Sequence, residues 1–344
     1  MSERTRAEVL KELTAAGQPY ELVPGTVFDR ECLRFKNAPP TLRDLFAESC
    51  SEVEFIIYQG QRLTFEQAYI EASKIAMILV NDYGVAPGDR VAISMRNYPE
   101  WILAFMATTS IGGIAVAMNA LWQPEEMAYG LTDSGAKVLF ADEERLVRFA
   151  QIATPPKVEL IAVRTSAYAN APELATLVTK LEQSGQAIEM PNQSPQPEDD
   201  ATLLYTSGST GHPKGVASCH VNIISALMSW ELDLHSAVAL MDEPPEAPAH
   251  PPASLMAVPL FHATGSHAVY LASYRNQRKL VCMYKWDPVI AAQMIEEERI
   301  STFIAPAAMT GDLVLEAQRS QRDLSSLSSV GGGGAPRAPE QVRN

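Results

Sequence analysis

A run of small hydroxyl-bearing and glycine residues, closed by a single lysine, has the composition of a phosphate-binding loop. The run consists of Thr206, Ser207, Gly208, Ser209, Thr210 and Gly211, and Lys214 follows it. Glycine lets the backbone adopt positive φ and approach a ligand closely, so successive N–H groups can surround an anion. Lysine adds a compact positive charge. We therefore predict that Thr206–Gly211 and Lys214 bind the phosphates of a polyphosphate ligand.

The run differs from the common P-loop, which has glycine directly before the lysine and serine or threonine directly after it. Here Pro213 precedes Lys214 and Gly215 follows it. Proline has no N–H group and cannot donate a hydrogen bond to a phosphate at that point. The other interpretation is a polar surface loop without a ligand.

The elements around the run predict an α/β fold. Residues 201–205, directly before it, are apolar and β-prone and predict a buried strand. Short β-branched strands alternate with helices before and after this point, which predicts parallel sheets with helices on their faces. The predicted strands are 55–58, 61–64, 91–95, 114–118, 138–141, 160–163, 254–258, 279–283, 302–305 and 328–330, and the predicted helices begin near Thr64, Pro99, Pro124, Glu143, His220, Pro288 and Ala307.

This pattern predicts two consecutive lobes, each a mostly parallel sheet flanked by helices. Residues 1–50 are predicted as a helical lead-in and residues 51–185 as the first α/β lobe. Residues 183–200 are polar and contain three prolines, which is typical of a linker. Residues 186–344 are predicted as the second α/β lobe, which the strand before the phosphate loop opens.

Residues 101–122 contain no charged side chain and are long enough to span a membrane. The pair Gly112-Gly113 divides them into an apolar helix and a strand, which is an α/β pattern. We therefore predict that this segment is protein core, and we predict no transmembrane segment.

The overall composition excludes some classes of function. The formal net charge is −14 and the pI is about 4.9, which argues against nucleic-acid binding. The four cysteines are scattered without a C-x-x-C pair, which predicts free thiols in a reducing compartment. No apolar signal-peptide core is present near the N-terminus. A cytoplasmic protein is expected.

The histidines lie in one part of the chain without the spacing of metal ligands. All six fall between residues 212 and 267, but no pair has the H-E-x-x-H spacing or a similar ligand spacing. We predict no metal site built from them. His262 follows a predicted strand and lies in a turn with Gly265, where it is either a partly buried strand cap or a functional residue.

The residues from Tyr205 to Gly215 resemble the phosphate-loop signature of adenylate-forming enzymes over eleven positions. This family comprises acyl- and aryl-CoA synthetases, luciferases and the adenylation domains of nonribosomal peptide synthesis. Further likeness lies in Pro259–Gly265, in the glycine run from Gly331 to Pro336, and in His220 and Asn222. The resemblance covers the chain from about residue 40 to its end.

The resemblance implies roles for several residues. Lys214 would neutralise phosphate charge during catalysis, and His262 would gate the path of pantetheine or orient the carboxylate. The adenine of the nucleotide would lie against Gly333, Gly334, Ala335 and Pro336. A frayed glycine tail is the alternative interpretation of that last segment.

The family activity implied is ATP-dependent activation of a carboxylic acid to an acyl-adenylate and then to acyl-CoA. ATP, Mg²⁺ and coenzyme A would be required. The turn at Leu260–Gly265 lacks the aspartate with which amino-acid-activating domains hold an amino group, so the resemblance favours a fatty or aryl acid over an amino acid. A medium- or long-chain fatty acid is the expected substrate. The alternatives are an aryl- or amino-acid-activating domain, or a nucleotide-binding remnant without catalysis. The resemblance also allows a homodimer and peripheral membrane contact.

Several family motifs have no match in the sequence. They are the motif that supplies a magnesium-linked glutamate, the ribose-binding aspartate, and the C-terminal domain with the adenylation lysine. The expectation is therefore an N-terminal portion that is inactive alone.

Overall fold

The computed structural model of the protein describes residues 4–206, 211–243 and 246–332. Helices and strands alternate through most of this part, as the sequence predicts. The helices are α1 (Arg6–Leu13), α2 (Leu42–Glu48), α3 (Phe65–Asn81), α4 (Pro99–Ser110), α5 (Pro124–Ser134), α6 (Glu143–Ala150), α7 (Leu174–Gln183), α8 (His220–Ala239), α9 (Ala272–Arg275), α10 (Pro288–Glu298) and α11 (Ala307–Ser320), and a π-helix (Thr264–Leu271) leads into α9. The strands are β1 (Leu22–Val27), β2 (Arg30–Phe35), β3 (Glu54–Tyr58), β4 (Gln61–Thr64), β5 (Arg90–Ser94), β6 (Ile114–Ala117), β7 (Val138–Asp142), β8 (Glu159–Val163), β9 (Asp200–Tyr205), β10 (Gly215–Cys219), β11 (Ala253–Met256), β12 (Lys279–Cys282), β13 (Thr302–Ala305) and β14 (Ser329–Gly332).

Two six-stranded sheets organise the described residues. In the first, the strand order is β10-β9-β6-β5-β7-β8, and all neighbours are parallel except β10, which is antiparallel to β9. In the second, the order is β14-β13-β11-β12-β3-β4, again parallel except for the last pair. The predicted α/β fold with two parallel-dominated sheets and flanking helices is confirmed.

The sheets do not follow the predicted consecutive lobes. Strand β9, which was predicted to open the second lobe, pairs with β6 of the first sheet. Strand β3, which was predicted in the first lobe, pairs with β12 of the second sheet. The prediction placed the division at the polar linker, but local composition marks a loop and does not specify which distant strand pairs with which. The division of the chain at residue 185 therefore needs correction.

The lead-in also differs from the predicted helical segment. Strands β1 and β2 form an antiparallel hairpin between α1 and α2. Phe28 and Asp29 form its turn with positive φ values of 48° and 59°. Such turns usually contain asparagine or glycine, so the sequence carries no ordinary hairpin signal here.

Two helices lie between the sheets and form the middle of the core. Helix α3 contacts β3 and β4 of the second sheet, α4 contacts β5 and β6 of the first, and the two helices contact each other. Every residue of α4 except Glu100 is buried. The interpretation of residues 101–122 as protein core is confirmed, and no helix in the described ranges is long and apolar enough to cross a bilayer.

Local signals explain where these central elements begin and end. The Thr64 side chain accepts a hydrogen bond from the backbone N–H of Gln67, whose own side chain accepts from the Thr64 N–H, a reciprocal cap that starts α3. Proline occupies the first position of α4, where its missing N–H costs nothing. Gly112, two residues after the end of α4, has φ +74°, a conformation that glycine adopts without steric penalty.

Candidate active site

The predicted phosphate loop connects β9 to β10, and its two ends are hydrogen-bonded to each other. The backbone N–H of Thr206 donates to the carbonyl oxygen of Lys214 over 3.0 Å, and the N–H of Lys214 lies 3.4 Å from Thr206 Oγ1. Both side chains are exposed, and Gly211 has φ +141°. Ser207, Gly208, Ser209 and Thr210 lie outside the described residues, so their predicted phosphate contacts stay a prediction.

Helix α5 contacts the chain at two points of this loop, at Tyr205 before it and at His212 near its end. The hydroxyl of Tyr205 donates to Asp133 Oδ2 over 2.7 Å and lies 3.2 Å from the carbonyl oxygen of Gly130. Burial, with the neighbouring Asp133 carboxylate, raises the pKa of Tyr205, which keeps the phenol neutral. On the other side, the rings of Tyr129 and His212 stack with their centroids 4.5 Å apart. The ends of the loop are thus fixed to a rigid element.

The histidine turn follows strand β11 and is shaped by close backbone packing. The N–H of His262 donates to the carbonyl oxygen of Pro259 over 3.2 Å, and the N–H of Ser266 donates to the carbonyl oxygen of His262 over 2.9 Å. A Cβ atom at Gly265 would lie 2.1 Å from the Pro259 oxygen. Only glycine fits at that position, which explains the spacing of proline and glycine in the motif.

His262 itself is an exposed side chain at this turn. Partial desolvation lowers the pKa of its imidazole from the ordinary value. The ring is therefore neutral at neutral pH and can accept or donate a single hydrogen bond. This state suits the orientation of a substrate better than the binding of an anion by charge.

Asn97 is a site-forming residue that the sequence reasoning missed. Its side chain is buried, donates to the carbonyl oxygen of Val258 over 2.9 Å, and accepts from the N–H of Leu260 over 3.0 Å. These bonds fix the chain directly before His262. The sequence position of Asn97 could have indicated its role, because it comes three residues after the carboxyl end of β5. Ligands in parallel sheets bind at the edge formed by these strand ends.

A cleft of about 320 Å³ joins the two predicted motifs. Tyr205, Thr206 and Val216 line it from the β9–β10 hairpin, and His262 and His267 line it from the histidine turn. Strand β9 belongs to the first sheet and β11 to the second. The cleft therefore lies where the carboxyl ends of strands from both sheets meet, the usual position of ligands in open α/β folds.

Among the residues that the structure describes, Thr206 and His262 are the predicted site residues that line this cleft. Lys214 stands at the base of the loop but does not line the cavity. Gly331 and Gly332 belong to strand β14, so the strand continues into the predicted glycine loop. Gly333, Gly334, Ala335 and Pro336 lie outside the described residues, and their predicted adenine contact is untested. The structure thus brings Thr206 and His262 together at one cleft.

Within the described ranges, no group of three or more histidine, cysteine, aspartate or glutamate side chains could hold a metal ion. Four cysteines are free, two of them buried and two exposed. The side chains that line the cleft offer hydroxyl and imidazole groups.

Comparison with known sequences decides the family. The profile described as AMP-binding enzyme matches residues 44–344. The chain belongs to the AMP-binding enzyme family. This membership accounts for the likeness of residues 205–215 to a phosphate-loop signature.

Curated relatives of this AMP-binding enzyme are acid–CoA ligases by name. It is 26% identical over 283 residues to 4-coumarate–CoA ligase 2 of Nicotiana tabacum, covering 81% of the chain and 49% of the relative. It is 24% identical over 324 residues to long-chain-fatty-acid–CoA ligase of Bacillus subtilis (strain 168), covering 86% and 55%. A third relative is 3-hydroxybenzoate–CoA/4-hydroxybenzoate–CoA ligase of Thauera aromatica. The chain is 36% identical to it over 148 residues, which cover 42% of the chain and 27% of the relative. The chain spans about half the length of the first two relatives.

Solved structures share the fold of this AMP-binding enzyme. A fatty acyl CoA synthetase of Mycobacterium tuberculosis aligns with TM-score 0.71 and 23% identity, covering 88% of the chain and 57% of the neighbour. The anthranilate CoA ligase AuaEII, solved in complex with anthranoyl-AMP, aligns with TM-score 0.74 and 21% identity, covering 86% and 55%. At these identities the likeness establishes the fold.

Proposed function

We propose that this chain is the ATP- and acid-binding part of an acid–CoA ligase that acts on medium- or long-chain fatty acids. One observation carries the proposal. The base of the predicted phosphate loop, at Thr206, and the histidine turn, at His262, line the same cleft. A phosphate site and an acid-orienting group must be neighbours in an enzyme that joins a carboxylate to a nucleotide.

The reaction is an adenylation followed by a thioester-forming transfer. A carboxylate oxygen attacks the α-phosphorus of ATP, the bond to the β-phosphate oxygen breaks, and acyl-adenylate and pyrophosphate form. The thiol of coenzyme A then attacks the acyl carbon, and AMP leaves. Because negative charge moves onto the departing pyrophosphate, catalysis rests on positioning and charge stabilisation.

The residues of this chain have separate parts in the first step. Backbone N–H groups of the loop after Thr206 hold the β- and γ-phosphates, and Lys214 neutralises their charge. Neutral His262 donates one N–H hydrogen bond to the reacting carboxylate. Mg²⁺ would arrive with ATP, and we assign it no ligand and no step, since no metal-holding group is found among the described residues.

An aryl acid is the second candidate substrate. Relatives are named for coumarate and hydroxybenzoate, and the hydroxybenzoate enzyme has the higher identity over its shorter match. An amino acid is less favoured, because Leu260–Gly265 contains no carboxylate that could hold an amino group. The alternative to an enzyme is a protein that binds a nucleotide without catalysing a reaction.

We further propose that the 344-residue chain binds ATP but makes no measurable adenylate alone. The resemblance to the family implies a magnesium-linked glutamate and an adenylation lysine, and neither motif is matched in this sequence. Removal of one preorganised stabilising group typically lowers the rate by about a hundred- to a thousandfold. Cytoplasmic location, dimer formation and peripheral membrane contact stay predictions.

Two measurements test these proposals on the purified chain. Calorimetric titration with ATP should show binding, and pyrophosphate release with acids from hexanoate to octadecanoate, cinnamate or benzoate should stay at the background rate. Absence of ATP binding would contradict the nucleotide role. Robust, acid-dependent pyrophosphate release would show that the groups required for catalysis are already present, and the preferred acid would then decide between fatty and aryl substrates.

A further inference from the structure

A groove on the second sheet lies apart from the cleft that Thr206 and His262 line. It runs between α10 and the β3–β4 hairpin and has a volume of about 530 Å³. Sites for small molecules usually have volumes of about 300–1,000 Å³. None of the described residues that line this α10 groove also lines the cleft. The groove is therefore a second place in the fold where a small molecule fits.

The α10 groove and the π-helix after the histidine turn lie on opposite faces of the second sheet. The chain passes from β11 to its neighbour β12 through the π-helix and α9, and from β12 back across β11 to β13 through α10. Connections between parallel strands are right-handed in nearly all folds. Because these two connections run in opposite directions along the sheet, their helices cover opposite faces. The sheet itself thus separates the α10 groove from the π-helix side of the cleft.

The floor of the α10 groove is apolar. Ile57 of β3 and Val281 of β12 are direct neighbours across the two strands, and both are buried. Met283 is buried after the end of β12, and Met294 of α10 is partly buried. Methionine is flexible and polarisable, so it adapts its surface to different apolar ligands. This floor suits an alkyl chain or another apolar body.

The carboxylates that line the α10 groove already have partners within the protein. Asp287 accepts hydrogen bonds from two backbone N–H groups at the start of α10. Glu298 forms ion pairs with Arg62 and Lys279. Glu297 accepts a hydrogen bond from a glutamine side chain one turn earlier in α10. A cationic ligand would have to displace these contacts.

Two positive charges near the start of α10 have no such partner among the described residues. Lys285 lines the groove, is exposed, and forms no hydrogen bond or ion pair there. The guanidinium carbon of Arg96 lies 5.8 Å from the centre of the Tyr284 ring, and Tyr284 also lines the groove. The guanidinium of Arg96 makes no hydrogen bond to the described residues, and its Nε is buried. Unpaired cations beside an apolar surface favour a ligand with a negative head group.

From this arrangement we infer that the α10 groove binds an amphiphilic anion, which is an apolar chain with a carboxylate or phosphate head group. The head group lies at Lys285, on the side of Arg96. The chain lies along Val281, Met283 and Met294. This site is additional to the proposed catalytic cleft and does not depend on which acid the cleft accepts.

NMR of isotope-labelled methionine methyl groups in the 344-residue chain can observe this site separately. Met283 and Met294 line the α10 groove, whereas no described methionine lines the cleft. Met283→Leu and Met294→Leu assign the two signals. The probes are dodecanoate and dodecyl phosphate, with dodecanol and dodecyltrimethylammonium as neutral and cationic controls of equal chain length. Each is titrated below its critical micelle concentration, without ATP and without coenzyme A.

Both anions should shift the two methionine signals in a saturable titration and bind at least about tenfold more tightly than the cationic probe. Lys285→Gln should raise the dissociation constants of the anions by about three- to tenfold, the effect of one partly exposed charge-assisted contact. It should leave the dissociation constant of dodecanol unchanged. Arg96→Gln should act in the same direction as Lys285→Gln. Lys157→Gln, at an exposed lysine outside the groove, should change none of these values.

Three results would overturn the inference. They are an absence of shifts at Met283 and Met294 with either anion, equal affinity for the anionic and cationic probes, and unchanged anion affinity in Lys285→Gln. Tighter binding of dodecanoate would assign a carboxylate head group, and tighter binding of dodecyl phosphate would assign a phosphate. If Arg96→Gln does not fold, the probe series in the parent and in Lys285→Gln still decides. ATP titration of the same proteins tests the proposed function separately.

Discussion

The side-chain oxygen of Asn97 lies 3.0 Å from the backbone nitrogen of Leu260 and accepts its hydrogen bond across a sequence separation of 163 residues. The amide of the same side chain donates to the carbonyl oxygen of Val258. The carboxyl end of β5 in the first sheet is thereby joined to the chain after β11 in the second. Because His262 follows two residues after Leu260, this contact sets the position of the histidine turn.

Removal of the Asn97 side chain should destabilise the protein and displace the turn. Asn97→Ala leaves the buried N–H of Leu260 and the carbonyl of Val258 without partners, and each such group costs about 1–3 kcal/mol. We expect urea unfolding to show a loss of about 2–3 kcal/mol in the free energy of unfolding. Asn276→Ala, which removes an exposed hydrogen bond, is the control and should change it by less than about 0.5 kcal/mol. Equal stability of the two variants would show that Asn97 is not needed to hold the turn.

Addition of one methyl group should have opposite effects at two helical glycines. At Gly265 the new Cβ would lie 2.1 Å from the backbone oxygen of Pro259, which cannot move aside cheaply. We expect Gly265→Ala to lose about 1–3 kcal/mol or more in the free energy of unfolding. At Gly311, inside α11, a Cβ meets open space, so Gly311→Ala should gain about 0.5–1 kcal/mol. Thermal unfolding of both variants measures the difference, and a neutral Gly265→Ala would contradict the close packing of the turn.

Loss of the Lys214 charge should weaken ATP binding without affecting stability. The side chain is exposed, and a charge-assisted hydrogen bond to phosphate contributes about 1.5–3 kcal/mol. We expect Lys214→Ala to raise the dissociation constant for ATP by roughly ten- to a hundredfold, with an unfolding temperature close to that of the parent. The matched control is Lys157→Ala, at an exposed lysine before β8. An ATP affinity that stays the same in Lys214→Ala would exclude the phosphate role.

Acidification should destabilise the fold through His220, a residue at the start of α8. Its Nδ1 accepts the N–H of Leu42 over 3.1 Å, its ring is buried, and burial lowers its pKa from 6.5 to about 4. Between these values the unfolded chain binds more protons than the folded chain, so the free energy of unfolding falls as the pH drops from about 6.5 to about 4. The loss from this one group is on the order of 3 kcal/mol.

Urea unfolding across that pH window measures the effect. His220→Asn keeps an oxygen acceptor for the Leu42 N–H and removes one titrating group, so it should reduce the slope by the contribution of one histidine. His250→Asn, at an exposed histidine, should leave it intact. The same slope in His220→Asn and in the parent would show that another group titrates in this range. Burial lowers the pKa of His267 to about 4 as well, so His267 contributes a slope of the same sign in the parent and in His220→Asn.

The sequence by itself determined the local elements and the family. Caps, prolines and glycines act within a few residues, so the starts of α3, α4 and α10 were predictable from Thr64, Pro99 and Pro288. The order of hydroxyls, glycines and lysine in residues 206–214 is likewise a local pattern, and it identified the phosphate loop and the family. The hairpin β1–β2 was not predicted, because the sequence Phe28-Asp29 is unusual for its turn.

The tertiary structure decided how distant segments meet. No local pattern indicates that β9 pairs with β6 or that β3 pairs with β12, because strand pairing depends on packing summed over the whole core. The roles of Asn97 and His220 likewise depend on partners that they meet only on folding. The chemistry-bearing residues can therefore be read from the sequence, whereas the meeting of Thr206 and His262 in one cleft, and the lowered pKa of buried His220, follow from long-range packing and burial.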